Sequence, residues 1–157
     1  MNLRQKILHK VVNLYPPFLG AGIKVRFNEK EQRAVVTLKL GFFNRNYVGT
    51  HYGGSLYSMC DPFYMILLID RLGPGYIVWD RSASIVFKRP GTGTVKAEFF
   101  ISDDRLREIR DEADRTGKSL PVFTVDVTDR ENRVVATVEK HLSVRKKDGN
   151  APPRSNP

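Results

Sequence analysis

The chain has almost no cysteine, since Cys60 is the single one among 157 residues. One thiol excludes an internal disulfide and any zinc site built on several cysteines. Long apolar runs are missing too, because the longest, Phe63 to Ile69, is far shorter than the roughly 20 residues that cross a bilayer. The basic N-terminus, MNLRQKILHK, lacks the apolar segment and cleavage site of a secretory signal. We therefore expect a cytoplasmic protein with no transmembrane segment, no metal site and no cofactor.

Acidic residues are in the minority, with 17 aspartates and glutamates against 26 lysines and arginines and a net charge of +9. Such a charge attracts nucleic acid, an anionic membrane or a phosphorylated small molecule. Part of it lies near the C-terminus, at Arg145, Lys146, Lys147 and Arg154. No zinc-finger spacing and no glycine-aromatic RNA-binding segment accompanies it, so no nucleic-acid partner is expected.

The rest of the composition is that of an ordinary globular protein, with 41% hydrophobic and 27% charged residues. A chain of this length fits one domain, which buries roughly 70% of its unfolded surface. We place the domain at residues 1–147, with an N-terminal helix and linker over 1–19. The last segment, 148–157, has the composition of a disordered tail.

Three segments carry helical signals, at residues 2–14, 53–71 and 103–116. Pro16 and Pro17 end the first. The second is apolar nearly all round from Phe63 to Ile69 and must be covered on most sides. The third is highly charged, with Ser102 as its N-cap and Gly117 just past its end, and is predicted to be an exposed connection.

Six segments show the alternation of apolar and polar residues that is typical of strands. Residues 21–28 and 33–40 are predicted to form one hairpin, and 120–128 and 133–145 another. Between them, 76–89 and 94–101 are two strand candidates joined at Gly91 to Gly93. The prediction is an α+β fold in which an antiparallel sheet of about six strands wraps around a central apolar helix. One sheet covers that helix only in part, which favours an oligomer.

The segment NYVGTHYGGSLYSMCDPF, residues 46–63, is the least routine part of the sequence. Gly53 and Gly54 stand at a predicted helix start, where a ligand can approach N–H groups that lack a partner within the helix. Such donors suit an oxyanion. One carboxylate, Asp61, falls in apolar surroundings directly before Pro62, and an acid there can act as general base or as nucleophile.

Asp61 and Pro62 also form a helix-start signal, with the acid as N-cap and the proline at the first helical position. On this alternative the helix begins at Pro62, and GGSLYSMC is a loop or a separate short turn. The other possibility is a single helix bent at Pro62, at a cost of roughly 3 kcal/mol. The sequence leaves both open.

The order of elements, with the central helix introduced by N-x-x-G-T-x-x-G-G, resembles the hotdog fold. The chain is similar to acyl-CoA thioesterases of the phenylacetyl-CoA and 4-hydroxybenzoyl-CoA type, in which G-T-x-H-G-G leads into the helix and an acid lies two turns in. SASIVFKRPG, residues 82–91, is similar to the strand that follows, which ends in a basic-Pro pair. The segment GGSLYSMCDPF is closer still to an uncharacterised bacterial thioesterase-like sub-branch. The likeness spans about residues 20–145.

This resemblance implies that the protein binds acyl-CoA or a similar thioester and hydrolyses it to the free acid and CoA. It implies catalytic roles for Asp61, for the amides of Gly53 and Gly54, and for Asn46, which matches a polar position near such sites. The substrate-binding residues that it implies are His51, Tyr52, Trp79, Lys88 and Arg89. In related enzymes the acid and the Gly-Gly amides come from different subunits, which implies a homodimer or a dimer of dimers.

Tyr52 departs from the family pattern, because related enzymes have histidine directly before Gly-Gly and here the histidine is His51. Tyrosine donates a hydrogen bond but is no base near pH 7. His51 has a plainer interpretation as a surface or turn histidine. The alternative function is therefore a non-catalytic acyl or acyl-CoA binding protein that kept the pocket and lost turnover. A nucleic-acid or anionic-membrane binder is a third hypothesis, based on charge alone.

Overall fold

The computed structural model describes residues 7, 9, 11–28 and 30–147. Its helices are α1 (Pro16–Ala21), α2 (Gly53–Ser58), α3 (Phe63–Leu72) and α4 (Asp103–Thr116), and a 3-10 turn at Val12–Leu14 precedes them. Its strands are β1 (Ile23–Asn28), β2 (Arg33–Lys39), β3 (Tyr76–Phe87), β4 (Thr94–Phe100), β5 (Lys118–Ser119), β6 (Val122–Thr128) and β7 (Val134–Lys146). The predicted tail, 148–157, and most of the predicted helix over 2–14 lie outside the described residues.

The sheet is antiparallel and runs in the order β1-β2-β4-β6-β7-β3, with β5 beside β7. Alternation sets its buried face, as in β2, where Ala34, Val36 and Leu38 are fully buried between partly exposed neighbours. The register then pairs Val36 with Ala97 of β4, which is buried too. The predicted antiparallel sheet is confirmed. β5 was not predicted, because two residues are too few to show a periodicity.

The central helix lies where the sequence predicts it, over 53–71, but a turn at residues 59–62 divides it into α2 and α3. Pro62 lies in this turn, since it has no N–H to continue the helical hydrogen bonds. The alternative with a separate short segment is thus nearer to the structure. The N-cap predicted by that alternative is wrong, however, because Asp61 is not the cap and no side chain caps the start of α3.

Aromatic packing holds α3 against the concave face of the sheet. The ring of Phe63, on the first turn, lies 5.0 Å from that of Phe99 on β4. Tyr64 meets Phe99 edge-on at 5.2 Å and stacks on Phe123 of β6 at 4.5 Å. Burial of a side chain of this size contributes about 1.5–3 kcal/mol. The turn that carries Asp61 is therefore anchored by the helix that follows it.

The pair Pro16-Pro17 begins a helix, α1, instead of only ending one. Proline is well suited to the first helical positions, where its missing N–H would have no partner within the helix. Gly22, in the left-handed region at φ +77°, ends α1 after six residues. The prediction of a bare linker at this point is therefore wrong.

The charged helix α4 has the predicted bounds and caps. Ser102 Oγ accepts a hydrogen bond from Arg105 N at 3.2 Å, and Gly117 follows the last turn at φ +81°. Only one side of α4 faces solvent, because Leu106 and Ile109 are buried against the core. No helix in the described part of the chain is long and apolar enough to cross a membrane.

Candidate functional site

A cleft of about 520 Å³ opens beside the start of α2. Five of the predicted site residues line it, namely Asn46, His51, Gly53, Lys88 and Arg89. Leu56 and Phe87 add apolar walls, and Pro90 and Gly91 close the end. The structure thus brings together the basic pair and the first of the two glycines, which stand 35 residues apart or more in the chain.

The basic pair follows directly after β3, at the edge of this cleft. The N–H groups of Lys88 and Arg89 both donate to Val135 O, at 2.8 Å and 3.2 Å, so the backbone is fixed. The two side chains are exposed. Cationic groups in this position suit a phosphorylated ligand, and arginine in particular binds phosphate through paired N–H donors.

His51 is buried, with 3% of its surface exposed, so its interpretation as a surface histidine is wrong. Its Nε2 lies 3.1 Å from Gly93 O, and its backbone N–H donates to Gly91 O at 3.0 Å. Burial lowers the pKa of the His51 imidazole, and the hydrogen bond with Gly93 raises it by less. The side chain is therefore neutral at pH 7 and ties the loop before α2 to the turn after β3.

Asn46 uses its side chain within its own loop. Its Oδ1 accepts from the N–H groups of Val48 and Thr50, at 3.1 Å and 2.9 Å. Its Nδ2 donates to Thr50 Oγ1 at 2.9 Å and to His51 O at 3.3 Å. Asn46 thus shapes the loop that leads into α2, and its place in the wall of the cleft follows from that.

Aromatic rings cover both glycines at the start of α2. A Cβ on Gly53 would lie 2.8 Å from Phe87 Cζ, and a Cβ on Gly54 would lie 2.4 Å from Tyr52 Cε1. Tyr52 is 60% exposed and belongs to a second cleft of about 590 Å³, which Gly54 and Tyr57 also line. The two glycines therefore face different clefts, with Tyr52 over the second.

Asp61 does not lie in the apolar surroundings that were expected, because a buried lysine reaches it. Lys140, on the concave face of β7, is 1% exposed, and its Nζ donates to Asp61 Oδ1 at 2.8 Å. Tyr57 Oη donates to the same oxygen at 2.8 Å. Asp80 of β3 is a second acidic neighbour of the ammonium, with Oδ1 3.2 Å from Nζ.

Lys140 was missed by the sequence analysis, although the alternation in β7 marks it. Ala136, Val138 and Leu142 occupy the same face at every second position and are buried. A lysine in that series must lie among them, and a buried lysine needs an anionic partner. The sequence could not name that partner, since Asp61 is 79 residues away.

Electrostatics keep this cluster charged around Lys140. Burial alone would lower the pKa of Lys140, but the hydrogen bond to Asp61 and the charges of Asp61 and Asp80 together raise it. Burial raises the pKa of Asp80 against the opposing effect of Lys140. Burial and the neighbouring Asp61 raise the pKa of Tyr57, so its hydroxyl stays protonated. The result is an ammonium enclosed between two carboxylates.

Two predicted site residues, Asp61 and Trp79, lie outside the walls of both clefts. Trp79 is on β3, opposite Ser143 of β7, and is 60% exposed. Asp61 follows Gly53 by eight positions and lies in the turn after α2, whereas Gly53 lies at the start of that helix. The carboxylate and the Gly53 amide are therefore not in the wall of the same cleft.

Three solved structures, each less than 25% identical to this chain, show its fold. A Pseudomonas aeruginosa protein of unknown function, described as a probable thioesterase, superposes with a TM-score of 0.80 at 20% identity, over 94% of this chain and 99% of that one. A Haemophilus influenzae thioesterase gives 0.67 at 14% identity, over 96% and 97%. The Escherichia coli PaaI protein from the phenylacetic acid degradation operon gives 0.57 at 16% identity, over 93% and 96%. The hotdog fold is confirmed.

No curated protein matches the sequence. The model of one family does, over residues 4–144, which include both clefts and the Lys140 cluster. The chain therefore belongs to the DUF4442 family, a domain of unknown function, and has the hotdog fold.

Proposed function

We propose that the protein hydrolyses an acyl-CoA-type thioester to the free acid and the thiol. The observation that carries the proposal is the 520 Å³ cleft, which joins Gly53 at the start of α2 to the exposed pair Lys88 and Arg89. An acyl-CoA carries its reacting carbonyl and its phosphates on one molecule. A site for it therefore needs an oxyanion donor and a cationic group on one continuous surface.

The backbone at the start of α2 supplies the donors. The carbonyl oxygen of a thioester gains negative charge when water or a carboxylate attacks it, and N–H groups aimed at that oxygen lower the barrier. One such donor is typically worth roughly 3–4 kcal/mol at the transition state. In this proposal the amide of Gly53, in the wall of the 520 Å³ cleft, takes that role. The amide of Gly54 belongs to the neighbouring cleft, and Asn46 contributes by holding the loop that precedes both glycines.

The carboxylate is Asp61 of a second copy of the chain. What supports this assignment is that Asp61 lies outside the walls of both clefts, beyond the turn that ends α2. A homodimer, alone or as half of a dimer of dimers, brings the acid of one protomer to the glycines of its partner. Asp61 then acts as general base on water or as nucleophile on the carbonyl.

The names of two structural relatives support this chemistry, since the Haemophilus influenzae protein is a thioesterase and the Pseudomonas aeruginosa protein is a probable one. A specific observation also favours a second candidate, an acyl-CoA binding protein without turnover. Tyr52 stands where related enzymes have histidine, and its exposed ring lies over Gly54. Such a ring can stack on a ligand without taking part in proton transfer.

Release of free thiol from a panel of acyl-CoAs, aliphatic and aromatic and of several chain lengths, tests the proposal. Wild type is compared with Asp61→Asn and with Asp111→Asn, which changes an exposed acid on α4. We expect turnover in wild type and Asp111→Asn, and a loss of about 100-fold or more in Asp61→Asn. Equal turnover in all three removes Asp61 from the mechanism. Calorimetric binding of CoA esters without turnover in any of them establishes the binding protein instead.

A further inference from the structure

The two carboxylate oxygens of Asp61 have different surroundings. Oδ1 accepts both hydrogen bonds, from Lys140 Nζ and from Tyr57 Oη, each at 2.8 Å. Within the described part of the chain, Oδ2 has no hydrogen-bond partner. The Asp61 side chain is 47% exposed, whereas that of Lys140 is 1% exposed. The pair is thus buried on the lysine side and open on the side of the acid.

We infer that Lys140 is the positioning residue of the site: it holds Oδ1 of Asp61 so that Oδ2 alone meets the water or the thioester carbonyl. This inference rests on the proposed thioester hydrolysis and identifies the group that orients its carboxylate. Lys140 acts through Asp61 and does not contact the reacting atoms.

The backbone around Asp61 explains why an anchor is needed. The residue lies in the turn between α2 and α3, where the regular hydrogen bonds of the helix are interrupted. Its side chain is half exposed, so packing does not select one rotamer. A carboxylate that must meet a carbonyl at a set angle loses about 100-fold in rate for an error of about 1 Å.

Lys140 has the rigidity that such an anchor requires. Its strand, β7, is paired on both sides, with Lys140 opposite Phe123 of β6 and Ala83 of β3. Asp80 of the neighbouring strand β3 forms a second ion pair with the ammonium, with Oδ1 3.2 Å from Nζ. The anchor is therefore fixed by the sheet, while Tyr57 fixes Asp61 from its own helix.

A purely structural role does not explain why a lysine occupies this buried position. Replacement of a buried ion pair by apolar residues of similar volume is often neutral or stabilising, so stability alone does not favour a lysine among Ala136, Val138 and Leu142. A charge kept in the core beneath a half-exposed acid is typical of a functional site. The raised pKa of Lys140, despite its burial, keeps the ammonium charged at neutral pH. Cys60 beside it is neutral, since burial raises its pKa to about 12.

The test compares Lys140→Met, which removes the ammonium at similar volume, with Lys24→Met, which removes an exposed lysine on β1 at the far edge of the sheet. The pH dependence of kcat and KM is measured for the acyl-CoA that wild type hydrolyses best. In Lys140→Met we expect kcat to fall by about 10- to 100-fold with KM nearly unchanged, because orientation in the transition state is lost.

The outcomes separate this inference from the proposed function. A folded Lys140→Met with the kcat and pH profile of wild type overturns the role of Lys140 and leaves thioester hydrolysis standing. A loss of kcat matched by a rise in KM, alongside a lowered Tm, also overturns it, since that is the result of general loosening. An inactive wild type overturns the proposed function and this inference with it.

If Lys140→Met does not fold, Tyr57→Phe decides in its place. That change removes one of the two donors to Oδ1 and keeps the ring and the ion pair. A kcat reduced several-fold, with KM nearly unchanged, supports the anchoring of Oδ1. A Tyr57→Phe variant identical to wild type contradicts it.

Discussion

Lys140 and Asp61, 79 residues apart in the chain, meet in a 2.8 Å hydrogen bond between Nζ and Oδ1. The contact joins the middle of β7 to the turn between α2 and α3, so it ties the sheet to the central helix. Because the ammonium is buried and the carboxylate is half exposed, removal of one partner costs more stability than at a surface ion pair.

A double-mutant cycle between these two residues measures that contact. We expect Lys140→Met to lower the free energy of unfolding by about 1–3 kcal/mol, since it leaves Asp80 without its cation. Asp61→Asn leaves a buried ammonium with one carboxylate and has a smaller effect. Urea denaturation of the two single variants and the double variant should give a coupling energy of about 0.5–2 kcal/mol. Additive effects would show that the hydrogen bond contributes nothing to stability.

A second prediction concerns the ring that covers Gly54. Gly54→Ala places a methyl group 2.4 Å from Tyr52 Cε1, so the exposed ring must move away. We expect the single variant to lose about 0.5–1.5 kcal/mol of stability in urea denaturation, as overpacking does at a site that can relax.

The matched double variant, Tyr52→Ala with Gly54→Ala, removes the obstructing ring. Its stability should equal that of Tyr52→Ala alone or exceed it, because alanine is the better helix former by about 1 kcal/mol. A further loss in the double variant would place the strain in the backbone of α2 and not in the contact with Tyr52.

Local sequence patterns were sufficient to predict most of the fold. The period-2 alternation of β2 and the cap pair Ser102 and Gly117 act within a few residues, so both were identified correctly. Errors arose where one local signal has two meanings. Prolines end a helix or begin one, and Pro16 begins α1. Aspartate before proline is typical of a helix N-cap, yet the Asp61 carboxylate accepts hydrogen bonds from Tyr57 and Lys140 instead.

The candidate site was predictable only in part, for a related reason. The family resemblance identified Gly53, Lys88 and Arg89 separately. Only the fold shows that these three residues line the same cleft. The burial of His51 depends on Gly91 and Gly93, 40 and 42 residues further on, which no local pattern reveals. Long-range contacts are set by topology, so the sequence indicates that a residue is unusual without indicating what it meets.

The basic pair at the cleft should bind phosphate. We expect Lys88→Ala with Arg89→Ala to raise KM for an acyl-CoA by about 10-fold or more with kcat little changed, because phosphates far from the thioester bind equally in ground and transition states. The same change should leave KM for an acyl-pantetheine, which lacks the nucleotide phosphates, unaltered. Arg115→Ala, at an exposed position of α4, is the control for lost positive charge. Equal effects on both substrates would show that the pair acts on something other than the phosphates.

His51 should make stability depend on pH in a defined direction. Its pKa is lowered in the folded protein, mainly by burial, whereas in the unfolded chain it titrates near 6.5. Above about pH 6.5 the imidazole is neutral in both states and has no effect on the pH dependence. As the pH falls below that value, the unfolded chain takes up a proton that the folded protein refuses, so stability falls by at most about 1.4 kcal/mol per pH unit until the folded pKa is reached.

His51→Gln tests this, because the glutamine amide can still donate to Gly93 O and has no proton to gain. We expect the urea unfolding free energies of wild type and variant to run parallel above pH 7 and to approach each other, or cross, as wild type loses stability below pH 6.5. His141→Gln, which removes a histidine paired with Glu139 on the surface, is the control and should lack this signature. A wild type that gains stability over His51→Gln as the pH falls would mean that the buried imidazole is charged. The loop before α2 would then present a cation, and not a neutral ring, to the cleft.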